Sequence, residues 1–150
     1  MIKTTIAVAL AALALTGCMT AQQEAENRAS YERLESVLMK AQENSTVDCT
    51  GADVCEKMWT LTKNYVQQNS GMAVRISDDS LIDTFAPVQY GMATFRATRE
   101  PAGEKMIVRL EGRCRGMYNR DGTEGPNYAD CARAIGVPQN KFLRYLHDHM

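Results

Sequence analysis

The spacing of hydrophobic positions changes along this chain, and each change marks an element. From Tyr31 onward Leu34, Val37, Leu38 and Ala41 recur at helical spacing, with Glu32, Arg33, Glu35 and Lys40 between them. That pattern predicts an amphipathic helix over 31–44, ended by Asn44-Ser45 and packed in cis or against a partner helix. A second helix starts after Thr50, a natural N-cap, with Asp53 three residues on to reach back as in a capping box. Val54, Met58, Leu61 and Tyr65 make one stripe and Cys55, Trp59, Thr62 and Val66 lie beside it, a face wide enough to cover a sheet. Trp59, the only tryptophan, reads as a core anchor on that face. Gln67 to Gly71 ends the helix, with Gly71 able to take the left-handed conformation.

Past Gly71 the period becomes two. Met72–Ile76 and Leu81–Ala86 read as short strands around the turn Ser77-Asp78-Asp79-Ser80, and Pro87 closes the second because it cannot donate to a ladder. Over Tyr90–Thr98, Ala93, Phe95 and Ala97 share one face, and Thr94, Arg96 and Thr98 the other. After the turn Glu100–Glu104, Met106, Val108 and Leu110 face one way, and Lys105, Arg109 and Glu111 the other. The two runs form a hairpin with one buried and one wet face, and counting on in twos puts Cys114 on the buried side. Arg115–Asn127 carries no period and reads as a loop. A final helix is expected from Pro138, a residue favoured in the first helical turn, with Phe142, Tyr145, Leu146 and His149 as its stripe. The expected fold is α+β: helix, four-stranded antiparallel meander, loop and C-terminal helix, with one sheet face covered and the strand order open.

The first 18 residues follow a different logic. Lys3 precedes an apolar run from Ile6 to Leu15, and the small pair Thr16-Gly17 follows, which is the layout of a secretory signal. The polar stretch from Thr20 arrives too soon for a spanning helix, which needs about 20 apolar residues. Leu15-Thr16-Gly17-Cys18 resembles the lipobox of bacterial lipoproteins. The resemblance implies a diacylglycerol on the Cys18 sulfur, cleavage before that residue and acylation of the new amino terminus. Residues 1–17 are then the signal peptide, 18–30 a polar tether, 31–44 the amphipathic helix and 48–150 a single domain. Acyl chains worth about 0.8 kcal/mol per buried methylene make such an anchor lasting. By the same resemblance Met19, in place of an aspartate after the anchor, implies the outer membrane, periplasmic face, ahead of the inner membrane.

Composition narrows the partners. The 150 residues carry a net charge of −1, and Lys3 is the only charge before Cys18, so the mature chain stands at −2. So balanced a chain has no global electrostatic reason to bind nucleic acid or an acidic membrane surface. Beyond the anchor, four cysteines remain, and an even number in an exported domain reads as disulfides. Of three possible pairings, closeness in sequence favours Cys49–Cys55 and Cys114–Cys131, the longer loop worth about 3 kcal/mol in the chain-entropy account. Neither a zinc spacing nor a redox Cys-x-x-Cys is present.

Candidate chemistry is thin. His147 and His149 flank Asp148 at the C-terminus, but residues two apart on a helix point to different sides, so a metal pair is disfavoured. No phosphate-cradling glycine pattern and no nucleophile motif appears, and with no other histidine a Ser-His or Cys-His catalyst is disfavoured; no enzyme and no cofactor is expected. The wet hairpin face is the better surface. Arg96, Lys105, Arg109 and Arg113 lie on it, with Arg115 and Arg120 nearby, and arginine pairs with carboxylate or phosphate through two parallel hydrogen bonds. Glu100, Glu104 and Glu111 lie on the same stretch and can neutralise it. Tyr118, Asn119, Asn127 and Tyr128 add polar-aromatic character. The candidate binding surface is therefore Arg96, Arg109, Arg113, Arg115, Tyr118 and Tyr128. Two roles fit: a non-enzymatic envelope module that binds or scaffolds a protein partner at the membrane, or an immunity-like inhibitor of an enzyme. A small-molecule ligand is not specified by the residues.

Overall fold

The computed structural model describes residues 2–150, with side chains from Ala21 onward. The lipobox side chains, Cys18 included, lie outside the described residues. The chain divides into two units, residues 1–34 and 35–150, and helix α1 (Ile2–Asn44) contributes to both. In the first unit the tether residues 21–30 are helical, against the reading of a featureless polar linker. They contain no Gly or Pro, and side-chain bonds from Gln22 to Glu26 and Gln23 to Asn27 stitch successive turns. Among the described residues no helix is long and apolar enough to cross a membrane.

The second unit is α+β with an antiparallel sheet, a preceding helix, a C-terminal helix and two disulfides, as the hydrophobic periods predicted. Its sheet has five strands rather than four, in the order β1-β5-β4-β3-β2. The additional strand is β1 (Thr46–Thr50), which pairs antiparallel with β5 (Lys105–Cys114), Val47 opposite Val108 and Cys49 opposite Met106. Its five residues do alternate, Val47 and Cys49 inward, but so short a run between two helices is fixed as a strand only by a partner some sixty positions away. The meander itself is β2 (Val74–Ser77), β3 (Leu81–Thr84), β4 (Ala93–Ala102) and β5.

Helices α2 (Ala52–Asn69) and α3 (Tyr128–His149) cover one sheet face, α2 over β4 and α3 over β5. Ile82, Phe95, Ala97, Val108 and Leu110 meet Trp59, Val66, Phe142 and Leu146 there, all buried. Trp59 is in the core as its stripe predicted, its Nε1 donating to the Asp78 carbonyl at 2.8 Å. The α2 stripe is rotated slightly from expectation: Cys55, Met58, Trp59, Thr62, Tyr65 and Val66 are inside while Val54 is exposed. At Gly112 α3 packs tightly on the sheet; a Cβ there would lie 2.5 Å from Ile135 Cγ2.

Helix boundaries moved for local reasons. Because Thr50 is taken up by β1, the N-cap of α2 is Gly51 at φ 86°, and no side chain caps it, so the Thr50–Asp53 capping box is absent. Ser70, extended at ψ 137°, is the C-cap, and Gly71 is not left-handed; its lack of a side chain instead lets Met92 approach, 2.7 Å from a notional Cβ. Helix α3 begins at Tyr128, ten residues before the expected Pro138, which sits inside it. Cys131, Ala132 and Ile135 extend the buried stripe backward, and their burial outweighs the backbone hydrogen bond that proline forfeits. Both disulfides pair as sequence proximity suggested: Cys49–Cys55 ties β1 to α2, and Cys114–Cys131 ties β5 to α3.

Candidate functional site

Alternation along β4 and β5 leaves a second sheet face that neither α2 nor α3 covers. Register fixes what stands on it. Thr94 is opposite Arg113, Arg96 opposite Glu111 and Thr98 opposite Arg109 on the β4–β5 pair, and Asp83 of β3 is opposite Arg96. The face is polar because the intervening positions, Phe95, Ala97, Val108 and Leu110, spend the apolar side chains on the other side.

Its centre is one carboxylate. Asp83 has a side chain only 8% exposed, and its two oxygens accept from two arginines: Oδ2 from Arg75 and Oδ1 from Arg113, each at 2.6 Å. Arg113 stands on β5 and Asp83 on β3, two strand spacings or about 10 Å apart, and the two side chains together close that gap across β4. Arg113 also donates to the Thr84 carbonyl at 3.2 Å. That crossing explains why Thr94, directly opposite Arg113 on a face without a helix, is fully buried. The other cations have looser partners: Arg96 lies 3.5 Å from Glu111, Arg109 3.2 Å from Glu100 and Lys105 2.9 Å from Asp48. The Asp48 hydrogen bond, more than its charge, holds the Lys105 ammonium above its ordinary pKa.

Three buried side-chain atoms have no hydrogen-bond partner among the described residues: Thr94 Oγ1, Arg96 Nε and Arg113 Nε. All three belong to this patch. Buried donors are almost always satisfied, so the patch holds hydrogen-bonding capacity that the fold itself does not use. Guanidinium groups are donors with no acceptor; with carboxylates and the Thr94 and Thr98 hydroxyls beside them, the arrangement suits recognition of an anion.

The sequence-predicted surface divides in space. Arg96, Arg109 and Arg113 share the open face. Arg115 lies at its end, donating to the Val88 carbonyl at 2.9 Å and placed 5.1 Å over the Tyr90 ring. There Phe85, Val88 and Tyr90 are all about half exposed or more. Tyr118 and Tyr128 are elsewhere. Tyr128 is buried in α3 rather than exposed in a loop, because the helix starts at that residue. Its hydroxyl and that of Tyr118 both donate to Glu35 Oε1, the latter at 2.9 Å, and the rings meet edge-on at 5.7 Å. The pair clamps the C-terminal turns of α1 to the body and leaves Tyr128 off any surface. His147 lies 3.7 Å from Asp148, and His149 packs against Tyr145 at 4.3 Å, so the two rings have separate partners.

Sequence reading missed Asp83, Arg75 and Thr94. Asp83 carried a signal, an acid inside the strand Leu81–Thr84, since a charge in a four-residue strand must be exposed or paired. Arg99 carried one too: it follows Phe95 and Ala97 in alternation and is accordingly buried, 5.2 Å from the Trp59 ring and bonded to Glu56 at 2.7 Å. No family model, curated protein or solved structure matches the chain.

Proposed function

We propose that this protein is a lipid-anchored, non-enzymatic module of the bacterial envelope, tethered through Cys18 and facing the periplasm, that docks an anionic partner on its open sheet face. The observation carrying the docking surface is the patch around Asp83, where every partnerless buried side-chain polar atom among the described residues gathers. Anchoring rests on the resemblance of Leu15-Thr16-Gly17-Cys18 to a lipobox. The disulfides support the same setting, since such bonds persist in an oxidising compartment.

Two measurements test the reading. Intact mass of the mature protein should show Cys18 as first residue with added acyl mass, and Cys18→Ser should move the protein to the soluble fraction. Crosslinking in intact cells, followed by mass spectrometry, should recover an envelope partner whose yield falls in an Arg96→Gln/Arg113→Gln double variant. Undiminished capture by that variant places the partner on another surface.

A further inference from the structure

We propose that the cluster of donors formed by Thr94, Arg96 and Arg113 is a binding site for a phosphoryl group, the inference resting on the reading of the open face as a docking surface. The argument begins with the number of donors left over. Asp83 already fills the planar, two-oxygen position between Arg75 and Arg113, with one guanidinium nitrogen on each oxygen. What remains are the Thr94 hydroxyl and Arg113 Nε, neither with a hydrogen-bond partner, and Arg96 Nε, held only by a 3.5 Å ion pair to Glu111 Oε2. A carboxylate offers two oxygens in a plane, whereas a terminal phosphoryl group offers three, arranged as a tripod. Three donors on separate side chains match the tripod.

Register shows that they lie close enough. Thr94 and Arg113 are directly opposed across the β4–β5 ladder, and Arg96 is two residues along β4, on the same face. Opposed positions have Cβ atoms about 5 Å apart and diagonal ones about 7–8 Å, within reach of arginine. Thr94 is completely buried and its oxygen has no partner, a state that a hydroxyl held only for packing would not need, since valine has the same shape. Both guanidinium-bearing side chains keep more than a third of their surface in water. Arg96, held only by its 3.5 Å ion pair to Glu111, is the side chain that can swing outward, opening the way to Thr94 and to Arg113, whose head stays on Asp83.

Charge agrees. Among the described residues Arg75, Arg96 and Arg113 pair with two carboxylates, Asp83 and Glu111, and Arg115 bonds a carbonyl, so these four arginines outnumber their acids although the whole chain carries −1. The exposed Phe85, Val88 and Tyr90 beside it would suit a phosphoryl group carried on an apolar body, such as a lipid headgroup. Free phosphate and a lipid phosphomonoester such as phosphatidate both present three terminal oxygens, and the test separates them.

The test uses the full chain in zwitterionic detergent micelles, isotopically labelled, following the Nε–Hε signals of Arg96 and Arg113 and the amide of Thr94 by NMR. Inorganic phosphate should shift all three along one saturable curve, while sodium chloride at equal ionic strength should not. Thr94→Val and Arg96→Gln should each weaken the phosphate curve at least about 5-fold, with the remaining spectrum unchanged as proof of folding. Arg113→Lys, which keeps the charge beside Asp83 but loses Nε, should weaken it as much. Short-chain phosphatidate added to the micelles should saturate the same signals at lower concentration and also move Phe85 and Val88 if the natural source is a lipid. Saturation by inorganic phosphate with no gain from phosphatidate assigns a soluble phosphoryl ligand. Shifts that follow chloride equally, or that Thr94→Val leaves untouched, overturn the site. Such a failure leaves the crosslinking result on the open face standing, so the two readings fall separately.

Discussion

The two faces of this one sheet reach burial by opposite means. On the covered face Phe95, Ala97, Val108 and Leu110 are wholly buried beneath two helices, and apolar area removed from water supplies the stabilisation. On the open face Thr94 is as deeply buried and Asp83 nearly so, yet what lies over that face is Arg113, reaching across β4 to Asp83. Charged side chains that lie flat over a sheet shield it as an aliphatic layer while their heads stay wet. The difference teaches where this protein tolerates change. A core built from shape loses energy whenever volume is lost; a cover built from arginines keeps its charged heads at the surface, where the proposed ligand would meet them.

The largest separation between the faces should appear on truncation. Phe95→Ala removes a fully buried ring from beneath α2 and should cost about 3–5 kcal/mol in denaturant unfolding. A loss under about 1 kcal/mol would show that the covered face is not the structural core. Asp83→Ala, by contrast, should cost about 2 kcal/mol: the carboxylate is buried, but both arginines it leaves behind keep access to water. If Asp83→Ala cost as much as Phe95→Ala, the arginine cover would be as structural as the core.

Much of this contrast was legible in the alternating residues of the hairpin. Phe95/Ala97 and Val108/Leu110 identify the covered face without any structure, and Arg96, Arg109 and Arg113 identify the open one. What escaped is non-local. Strand β1 is five residues whose place depends on β5 far along the chain. The start of α3 depends on Cys131 and Ile135 finding Cys114 and Gly112 on the sheet, which a local proline preference at Pro138 cannot foresee. The centre of the candidate site depends on Arg113 reaching over β4 to Asp83, a distance set by strand order. Local patterns show which face a residue takes; strand order decides whom it meets.

On the covered side, the phenol of Tyr65 sharpens the comparison through pH. It donates to the Pro138 carbonyl at 2.7 Å, and burial, with the nearby Tyr145 adding to it, raises its pKa from 10.0 to about 12. The folded state thus holds this proton more tightly than the unfolded one. The resulting stabilisation is complete below pH 10 and disappears as pH rises from 10 to 12. Denaturation followed across that range should show the decline, and Tyr65→Phe, about 1 kcal/mol less stable at neutral pH, should flatten it. An unchanged alkaline profile in Tyr65→Phe would assign the decline to other groups.

The smallest effect is the most telling for the open face. Thr94→Val replaces a partnerless hydroxyl by a methyl of equal shape, so stability should stay the same or rise by up to about 1 kcal/mol. A loss greater than about 1 kcal/mol would mean that the hydroxyl serves the fold.

Site-specific photocrosslinking in intact cells compares the two sides most directly. A photoreactive residue at Thr98, on the open face, should give one discrete adduct that the Arg96→Gln/Arg113→Gln pair diminishes, while the same probe at Gln67, on the exposed side of α2, should give none. An adduct from position 67 with nothing from position 98 would contradict the account, because the partner would then rest on the helices and not on the arginine-lined sheet.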